Sequence, residues 1–301
     1  MNEQAAITRK PDAMPADIAA KLREIGAQIA PEETAELYIP LHTTEPYFGV
    51  AVQRDLSYGP AERNILDVFT SPDPGSGKPV MVFVHGGGFI RGAKRLEGTP
   101  FYDNIALWAV GESMVGVTVN YRLAPDHQWP SGIEDMRAIV DWLKANIAKY
   151  GGDPEKIFLW GHSAGAAHVG DYLAAEVRQD RTPGIAGGIL TSGFFELGNE
   201  VSVWSAYYGN DVSKYLDRSA LPALAESPVP ILANDAELDP EIFTDETRKL
   251  VDARKAAGTP VQYVHLSDHS HISETYAVGT DDHSLSDPIK DFVRAVTGAA
   301  Q

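Results

Sequence analysis

The stretch KIFLWGHSAGAAHVGDYLAAE, residues 156–176, runs from a short apolar segment through a turn into a helical pattern. The turn has the form Gly-x-Ser-x-Gly, with Ser163 between Gly161 and Gly165. On a strand–turn–helix connection such a serine stands on a sharp, strained turn, and the small residues beside it let strand and helix approach closely. A structural turn without chemistry is the alternative. The context predicts a nucleophilic Ser163 at a helix N-terminus that favours negative charge.

Outward from this turn, short β-rich runs alternate with helical patterns. The predicted strands are 51–57, 64–70, 80–84, 114–120, 156–160, 185–191, 229–233 and 261–266. The first two flank Tyr58-Gly59-Pro60 and read as an antiparallel hairpin, and the clearest helical pattern spans 133–147. Strand–helix alternation favours βαβ units. We therefore predict an α/β fold, with an eight-stranded, mostly parallel sheet and helices on both faces.

Two segments depart from this alternation. Within the first 50 residues, one apolar helical face is followed by Pro31, which is expected to end that helix. This face consists of Ile18, Leu22, Ile25 and Ile29. Residues 192–227 are rich in aromatic side chains. We predict a single domain, 1–301, with a small cap contributed by about 1–50 and 192–227.

Composition limits the classes of function. The chain has 42 acidic and 25 basic residues, for a net charge of −17, so nucleic acid and anionic membrane surfaces would repel it. It has no cysteine, which excludes disulfides and thiolate zinc sites. The sequence shows no long apolar run and no signal-peptide core, so we expect a cytoplasmic protein without membrane insertion.

A glycine run follows the predicted strand 80–84. In His85-Gly86-Gly87-Gly88-Phe89 three glycines stand together, which costs backbone entropy that a simple turn does not require. Tetrahedral intermediates of acyl transfer need two or three N–H donors aimed at one point. A flexible loop or a phosphate cradle are the alternatives, although no Gly-Lys-Ser/Thr follows. We predict an oxyanion hole built by the N–H groups of Gly87, Gly88 and Ala164.

A serine nucleophile needs a histidine base and a carboxylate that orients it, and in this chain order both follow the serine. The predicted strand 229–233 leads to three carboxylates, and four histidines come later. The carboxylates are Asp235, Glu237 and Asp239, and the histidines are His265, His269, His271 and His283. Spacing alone does not separate Asp239 from Asp235. His269 and His271 share a loop, where a His-x-His metal site is a weaker alternative.

Several motifs occur together in a familiar order. HGGGF at 85–89, YRLAP at 121–125, GHSAG at 161–165, AELDP at 236–240 and the last histidine loop resemble the hormone-sensitive-lipase-like carboxylesterases, an α/β-hydrolase family. The resemblance covers roughly residues 65–275. It implies that Asp239 is the acid and His271 the base, with Gly87, Gly88 and Ala164 as oxyanion donors. GHSAGA is also similar to kynurenine-formamidase-like members.

The expected function is a serine carboxylesterase that hydrolyses short-chain acyl esters through Ser163, His271 and Asp239. The same residues would serve an amidase or aryl formamidase, which is the alternative, and a non-catalytic binding module would be expected to lack one of them. Neither cofactor nor metal is expected; the partner is a small-molecule ester, and the resemblance allows a homodimer. Candidate substrate-binding residues are Phe89, His162, Trp204, Tyr207 and Tyr208.

Overall fold

A nine-stranded sheet forms the centre of the computed structural model, which describes residues 7–9, 14–201 and 203–298. The strands are β1 (Ile7–Arg9), β2 (Ala51–Ser57), β3 (Ile65–Thr70), β4 (Lys78–Val84), β5 (Val115–Val119), β6 (Gly152–His162), β7 (Gly187–Thr191), β8 (Ile231–Leu238) and β9 (Val261–Ser270). Their order across the sheet is β1-β9-β8-β7-β6-β4-β5-β3-β2. Only the β2–β3 and β3–β5 pairs are antiparallel among these strands.

The eight predicted strands and the mostly parallel sheet are confirmed. The hairpin of β2 and β3 also forms as predicted. Strand β1 was not predicted from the sequence; it pairs in parallel with β9 at the edge of the sheet. Three residues are too few to show an alternating pattern, so this strand depends on its neighbour.

Helices cover both faces of the sheet. They are α1 (Ala16–Ile25), α2 (Pro31–Tyr38), α3 (Asp103–Gly111), α4 (Ser131–Asn146), α5 (Ala164–Arg178), α6 (Ser205–Tyr208), α7 (Tyr215–Arg218), α8 (Leu221–Glu226), α9 (Glu241–Ala257), α10 (Ser273–Tyr276) and α11 (Ser286–Thr297). The apolar sides of α4, α5, α8 and α9 join one core cluster, and those of α1, α3 and α11 join another.

Strand β4 shows how the sequence builds these two cores. Val80, Val82 and Val84 belong to the cluster on one face, whereas Met81 and Phe83 belong to the cluster on the other. Side chains alternate across a strand, so a strand that is buried on both faces must be apolar at every position. The central position of β4 fixes the loop that follows it over the middle of the sheet.

The N-terminal helix ends earlier than predicted. Helix α1 stops at Ile25 because Gly26 adopts a left-handed φ of 70°, and Ile29 lies outside it, 43% exposed. The prediction that Pro31 ends this helix was wrong: Pro31 begins α2. Proline suits the first turn of a helix, since its missing N–H has no partner there anyway. Pro31 therefore marks the start of one helix and not the end of the helix before it.

The segment 192–227 contains three short helices, α6, α7 and α8. Part of the predicted cap, residues 1–6, 10–13 and 202, lies outside the described residues. In the described ranges, no helix combines the length and the apolar character that crossing a bilayer requires.

Candidate active site

A cavity of about 290 Å³ opens at the carboxyl ends of the central strands. Ser163, His271 and the three glycines of the 85–89 loop all line it. The remaining lining residues are Ile29, Pro31, Glu32, Arg91, Gly92, Leu96, Tyr102, His162, Trp204, Ile272 and Tyr276. In parallel α/β sheets this edge is where ligands bind, because loops from several strands converge there.

Ser163 stands between β6 and α5 with φ 55° and ψ −120°, a conformation that L-residues rarely adopt. Its backbone N–H donates to the Thr191 carbonyl at 2.9 Å, which ties the turn to β7. A Cβ at Gly165 would lie 2.1 Å from the Val84 carbonyl oxygen, and one at Gly161 would lie 2.4 Å from that of Gly165. Both glycines are therefore required for the close packing of strand, turn and helix.

The glycine loop presents free amide groups to the cavity. Gly87 has φ 121°, and a Cβ there would lie 2.1 Å from the Arg91 carbonyl oxygen. Gly88 has φ 61°, and its Cβ position faces the Trp204 ring at 3.6 Å. Within the described part of the chain, neither the Gly87 nor the Gly88 N–H donates a hydrogen bond. Both remain available to an oxygen in the cavity.

His85 supports this loop from below. Its ring stacks on Tyr121 at 4.3 Å, its Nδ1 lies 2.7 Å from the Gly86 carbonyl oxygen, and the Tyr121 hydroxyl donates to the His85 carbonyl at 2.9 Å. Burial lowers the pKa of His85 to about 3, so the ring is neutral at physiological pH. A neutral, fully buried imidazole suits a structural support.

His271 and Asp239 form a buried pair beside Ser163. The Nδ1 atom of His271 lies 2.7 Å from Oδ1 of Asp239. The other oxygen, Oδ2, accepts from the Ser192 hydroxyl at 2.6 Å and from the Ala236 N–H at 2.9 Å. Three donors hold this carboxylate, and the contact with Asp239 uses only Nδ1 of the His271 ring. Ser192 was not identified from the sequence.

The competing candidates have other partners. Asp235 lies 2.6 Å from Nδ1 of His265, and Glu237 accepts from the Asp268 N–H at 2.8 Å. Strand β8 continues to Leu238, so Asp235 lies within the sheet and Asp239 just beyond its end. This extension separates the two aspartates, which spacing alone could not do.

The two histidines of the predicted loop also diverge. His269 is buried, with its Nε2 3.1 Å from Asp282 Oδ2 and its Nδ1 3.0 Å from the Ser273 hydroxyl. His271 faces Asp239, and its ring stacks on Phe243 at 4.2 Å. His269 and His271 therefore do not converge on one point. Phe243 was not identified from the sequence, because helical aromatic residues are common in any core.

The predicted substrate-binding residues separate into two groups. His162 and Trp204 line the cavity. Phe89, Tyr207 and Tyr208 are not among its lining residues; they pack together behind the loop, with Phe89 stacked on Tyr207 at 4.7 Å. The tyrosine hydroxyls have interior partners, since Tyr207 accepts from the Gly132 N–H at 3.1 Å. These three rings hold the glycine loop against α5 and α6.

One cluster has the composition of a metal site. Ligand atoms of His162, His271 and Glu274 lie within 4.8 Å of one another. However, His162 Nε2 lies 2.7 Å from the His271 carbonyl oxygen, and His271 Nδ1 is paired with Asp239. Two of the three side chains thus already use a nitrogen in protein hydrogen bonds, so the donor set fits a metal poorly. Glu274 was not identified from the sequence.

Comparisons with known proteins find similar sequences and similar folds. The BD-FAE family model matches residues 66–191. Esterase LipQ of Mycobacterium tuberculosis is 29% identical over 85% of this chain and 66% of its own length. The chain thus spans slightly less than two thirds of that relative.

Solved structures share the fold. A fungal esterase from Rhizomucor miehei superposes with a TM-score of 0.71 at 21% identity, over 95% of this chain and 98% of its own. An esterase from the bacterial hormone-sensitive lipase family superposes with a TM-score of 0.67 at 22% identity, over 93% and 96%.

The parallel sheet, the serine on its strained turn and the glycine loop beside it define an α/β-hydrolase. Within that class, the chain is similar to the BD-FAE family over residues 66–191 and to the esterase LipQ over most of its length. The predicted similarity to kynurenine formamidases stays a prediction.

Proposed function

We propose that this protein is a serine carboxylesterase that hydrolyses short-chain acyl esters. One observation carries the proposal: the cavity that exposes Ser163 is also lined by His271, whose Nδ1 is 2.7 Å from Asp239, and by glycines with free amides. Nucleophile, base and oxyanion donors thus share one space, as acyl transfer requires. The name of the relative LipQ, an esterase, supports the same reaction.

In the proposed mechanism, His271 removes the proton from the Ser163 hydroxyl as the serine oxygen attacks the ester carbonyl carbon. The carbonyl oxygen becomes an oxyanion and accepts hydrogen bonds from the N–H groups of Gly87, Gly88 and Ala164. Asp239 orients the imidazole and stabilises its charged form. Oxyanion-hole donors of this kind typically contribute about 10²- to 10³-fold each to kcat.

The intermediate then collapses. His271 returns its proton to the alkoxide leaving group, and the alcohol departs, which leaves an ester between the acyl group and Ser163. Water attacks this acyl-enzyme as His271 takes one of its protons, and the carboxylic acid leaves with the serine oxygen reprotonated. No group beyond the chain and water is needed to balance these steps.

The size and walls of the cavity favour a small acyl group. Its volume of about 290 Å³ lies at the lower end of the range for ligand pockets. Leu96, Tyr102, Ile272 and Trp204 supply apolar surface, and Ile29 and Pro31 close it from the N-terminal segment. We propose that this segment, with the stretch around Trp204, acts as the cap.

Hydrolysis of p-nitrophenyl acetate, butyrate and octanoate by wild type and by Ser163→Ala tests the function. We expect rapid turnover of the two shorter esters, a decline at octanoate, and loss of about 10⁴-fold or more in Ser163→Ala. An aryl formamide is assayed in parallel. Retained activity in Ser163→Ala would refute the proposed nucleophile, and turnover of the formamide alone would replace esterase by amidase.

A further inference from the structure

Glu274 is a carboxyl group that the mechanism above does not use. It is 0% exposed and belongs to α10, the short helix that begins two residues after His271. It is not among the residues that line the cavity. A buried acid so close to a catalytic pair needs a physical explanation, because burying a carboxyl group is costly.

A chain of hydrogen bonds with a fixed direction orients the carboxyl group. The Trp160 indole donates to the Thr191 hydroxyl at 2.9 Å, which donates to Asn234 Oδ1 at 2.7 Å. An indole can only donate, so the amide nitrogen of Asn234 must face the acid, and it donates to Glu274 Oε2 at 2.8 Å. Strands β6, β7 and β8 together hold Glu274 in place.

From this position Glu274 reaches both members of the catalytic pair through one residue each. Ser192 interacts with the Glu274 carboxyl group, and its hydroxyl donates to Asp239 Oδ2 at 2.6 Å. On the other side, Glu274 Oε1 lies 3.6 Å from His162 Nε2, and the same nitrogen lies 2.7 Å from the His271 carbonyl oxygen. Ser192 also has a left-handed φ of 45°, so its position is tightly determined.

In the described part of the chain, Glu274 forms no ion pair with Lys or Arg, and its Oε1 has no hydrogen-bond partner. A fully buried acid without a cationic partner favours its protonated form. Burial, followed by the nearby charge of Asp239, raises the pKa of Glu274 well above its usual value. Burial, and next the proximity of His271, lowers the pKa of His162 well below its usual value, so that ring is neutral.

We propose that Glu274 is a protonated positioning residue that supports Ser192 and His162, the two residues that hold Asp239 and the His271 backbone. The proposal rests on the serine esterase function above and adds a residue to its machinery. The titratable groups that face Glu274 are His162, His271, Asp239 and Asp235. An ionised Glu274 would place a second negative charge beside the pair, favour the imidazolium and reduce the fraction of active base at neutral pH.

The test compares Glu274→Gln and Glu274→Ala. Asp235→Asn is the control, since it neutralises a different buried carboxyl group, which lies on β8. Glutamine keeps the shape and neutrality of a protonated acid. We expect Glu274→Gln to keep kcat for p-nitrophenyl acetate within about 3-fold, with the acid limb of its pH profile unmoved. Glu274→Ala should lower kcat by about 10- to 100-fold with little change in KM, because the pair is misplaced while the cavity is intact. Asp235→Asn should match wild type.

Three results would overturn the proposal: equal losses in Glu274→Gln and Glu274→Ala, a wild-type kcat in Glu274→Ala, or an acid limb that moves to lower pH in Glu274→Gln. If Glu274→Ala does not fold, Ser192→Ala cuts the link to Asp239 and should lower kcat in its place. A comparison of the carboxyl ¹³C chemical shifts of wild type and Glu274→Gln then shows directly whether Glu274 carries a proton. Failure of the esterase function is distinguishable, because wild type itself would then not hydrolyse p-nitrophenyl acetate, or Ser163→Ala would remain active.

Discussion

Two aspartates four positions apart in sequence show how finely the site depends on single residues. Asp235 and Asp239 are both buried, and each pairs with a histidine Nδ1, at 2.6 Å and 2.7 Å respectively. Only the second pair involves a histidine that lines the cavity. Both aspartates thus contact a histidine in the same way, and their position relative to the cavity separates them.

We therefore expect Asp239→Asn to lower kcat for p-nitrophenyl butyrate by about 10³- to 10⁴-fold, since the amide no longer holds the imidazole in the productive tautomer. Asp235→Asn is the matched control and should keep kcat within about 3-fold. Steady-state kinetics of both variants, with circular dichroism to verify folding, decide the matter. A larger loss in Asp235→Asn would exchange the roles of the two residues.

At this scale the sequence could predict residue types but only part of their arrangement. Ser163 and the glycine run have local signatures, because their chemistry requires special backbone geometry next to a strand. Asp239 and His271 were chosen through resemblance, as the end of β8 at Leu238 was not readable from the pattern. Glu274 had no signal at all, because its role depends on burial between three strands.

At the scale of elements, the glycine loop after β4 is the most constrained connection. Gly87→Ala would bring a Cβ to 2.1 Å from the Arg91 carbonyl oxygen, at a φ of 121° that side chains disfavour. We expect a fall in kcat of about 10²-fold or more, because the amide donors move away from the oxyanion.

Gly98→Ala is the control for that variant. Gly98 also has a left-handed φ, of 76°, yet its Cβ position meets no atom within 4 Å. Only the conformational penalty of about 1 kcal/mol should remain there, with kcat unchanged. Equal kcat values for the two variants would show that the loop does not position the donors.

Helices α5 and α6 meet through a buried acid. The Tyr208 hydroxyl donates to Asp171 Oδ2 at 3.0 Å, and burial raises the pKa of Asp171 to about 8, from an ordinary value of 3.8. The folded protein thus keeps a proton that the unfolded chain loses between these two values. Stability should therefore fall as pH rises through this window and level off above it.

Asp171→Asn removes this titration while its amide oxygen still accepts from Tyr208. We expect the variant to gain Tm over wild type as pH rises from 5 to 8, by about 2 °C or more, equivalent to roughly 1 kcal/mol. Asp180→Asn, at an exposed position just past the end of α5, should follow wild type. Parallel pH dependences in Asp171→Asn and wild type would refute the raised pKa.

For the whole molecule, the order of the strands determines what meets at the cavity. Its walls come from segments as distant as Ile29, Trp204 and Tyr276. Periodicity predicts each strand, because the apolar pattern within a strand reflects its burial on one or both faces. It does not predict which loops share an edge. For this reason Phe89, Tyr207 and Tyr208 were assigned to the cavity from the sequence, although their rings pack together behind the glycine loop.

Net charge also acts on the scale of the whole molecule. With a charge of −17, the protein repels anionic substrates at long range. Arg91 opposes this locally: it lines the cavity, is exposed, and forms no ion pair within the described part of the chain. Repulsion by the net charge acts over a longer range than attraction by Arg91, so a change in salt concentration separates the two effects. The Debye length falls from about 30 Å at 0.01 M to about 8 Å at 0.15 M ionic strength.

We expect kcat/KM for mono-p-nitrophenyl succinate, relative to the neutral butyrate ester, to rise as salt screens the net charge. Arg91→Gln should lower this ratio by about 2- to 5-fold, as loss of one exposed attraction implies. Arg181→Gln removes an exposed arginine that lines a different surface pocket and is likewise without an ion pair in the described ranges, so it should match wild type. Equal ratios in all three proteins would mean that Arg91 does not meet the substrate, and a ratio independent of salt would exclude long-range repulsion.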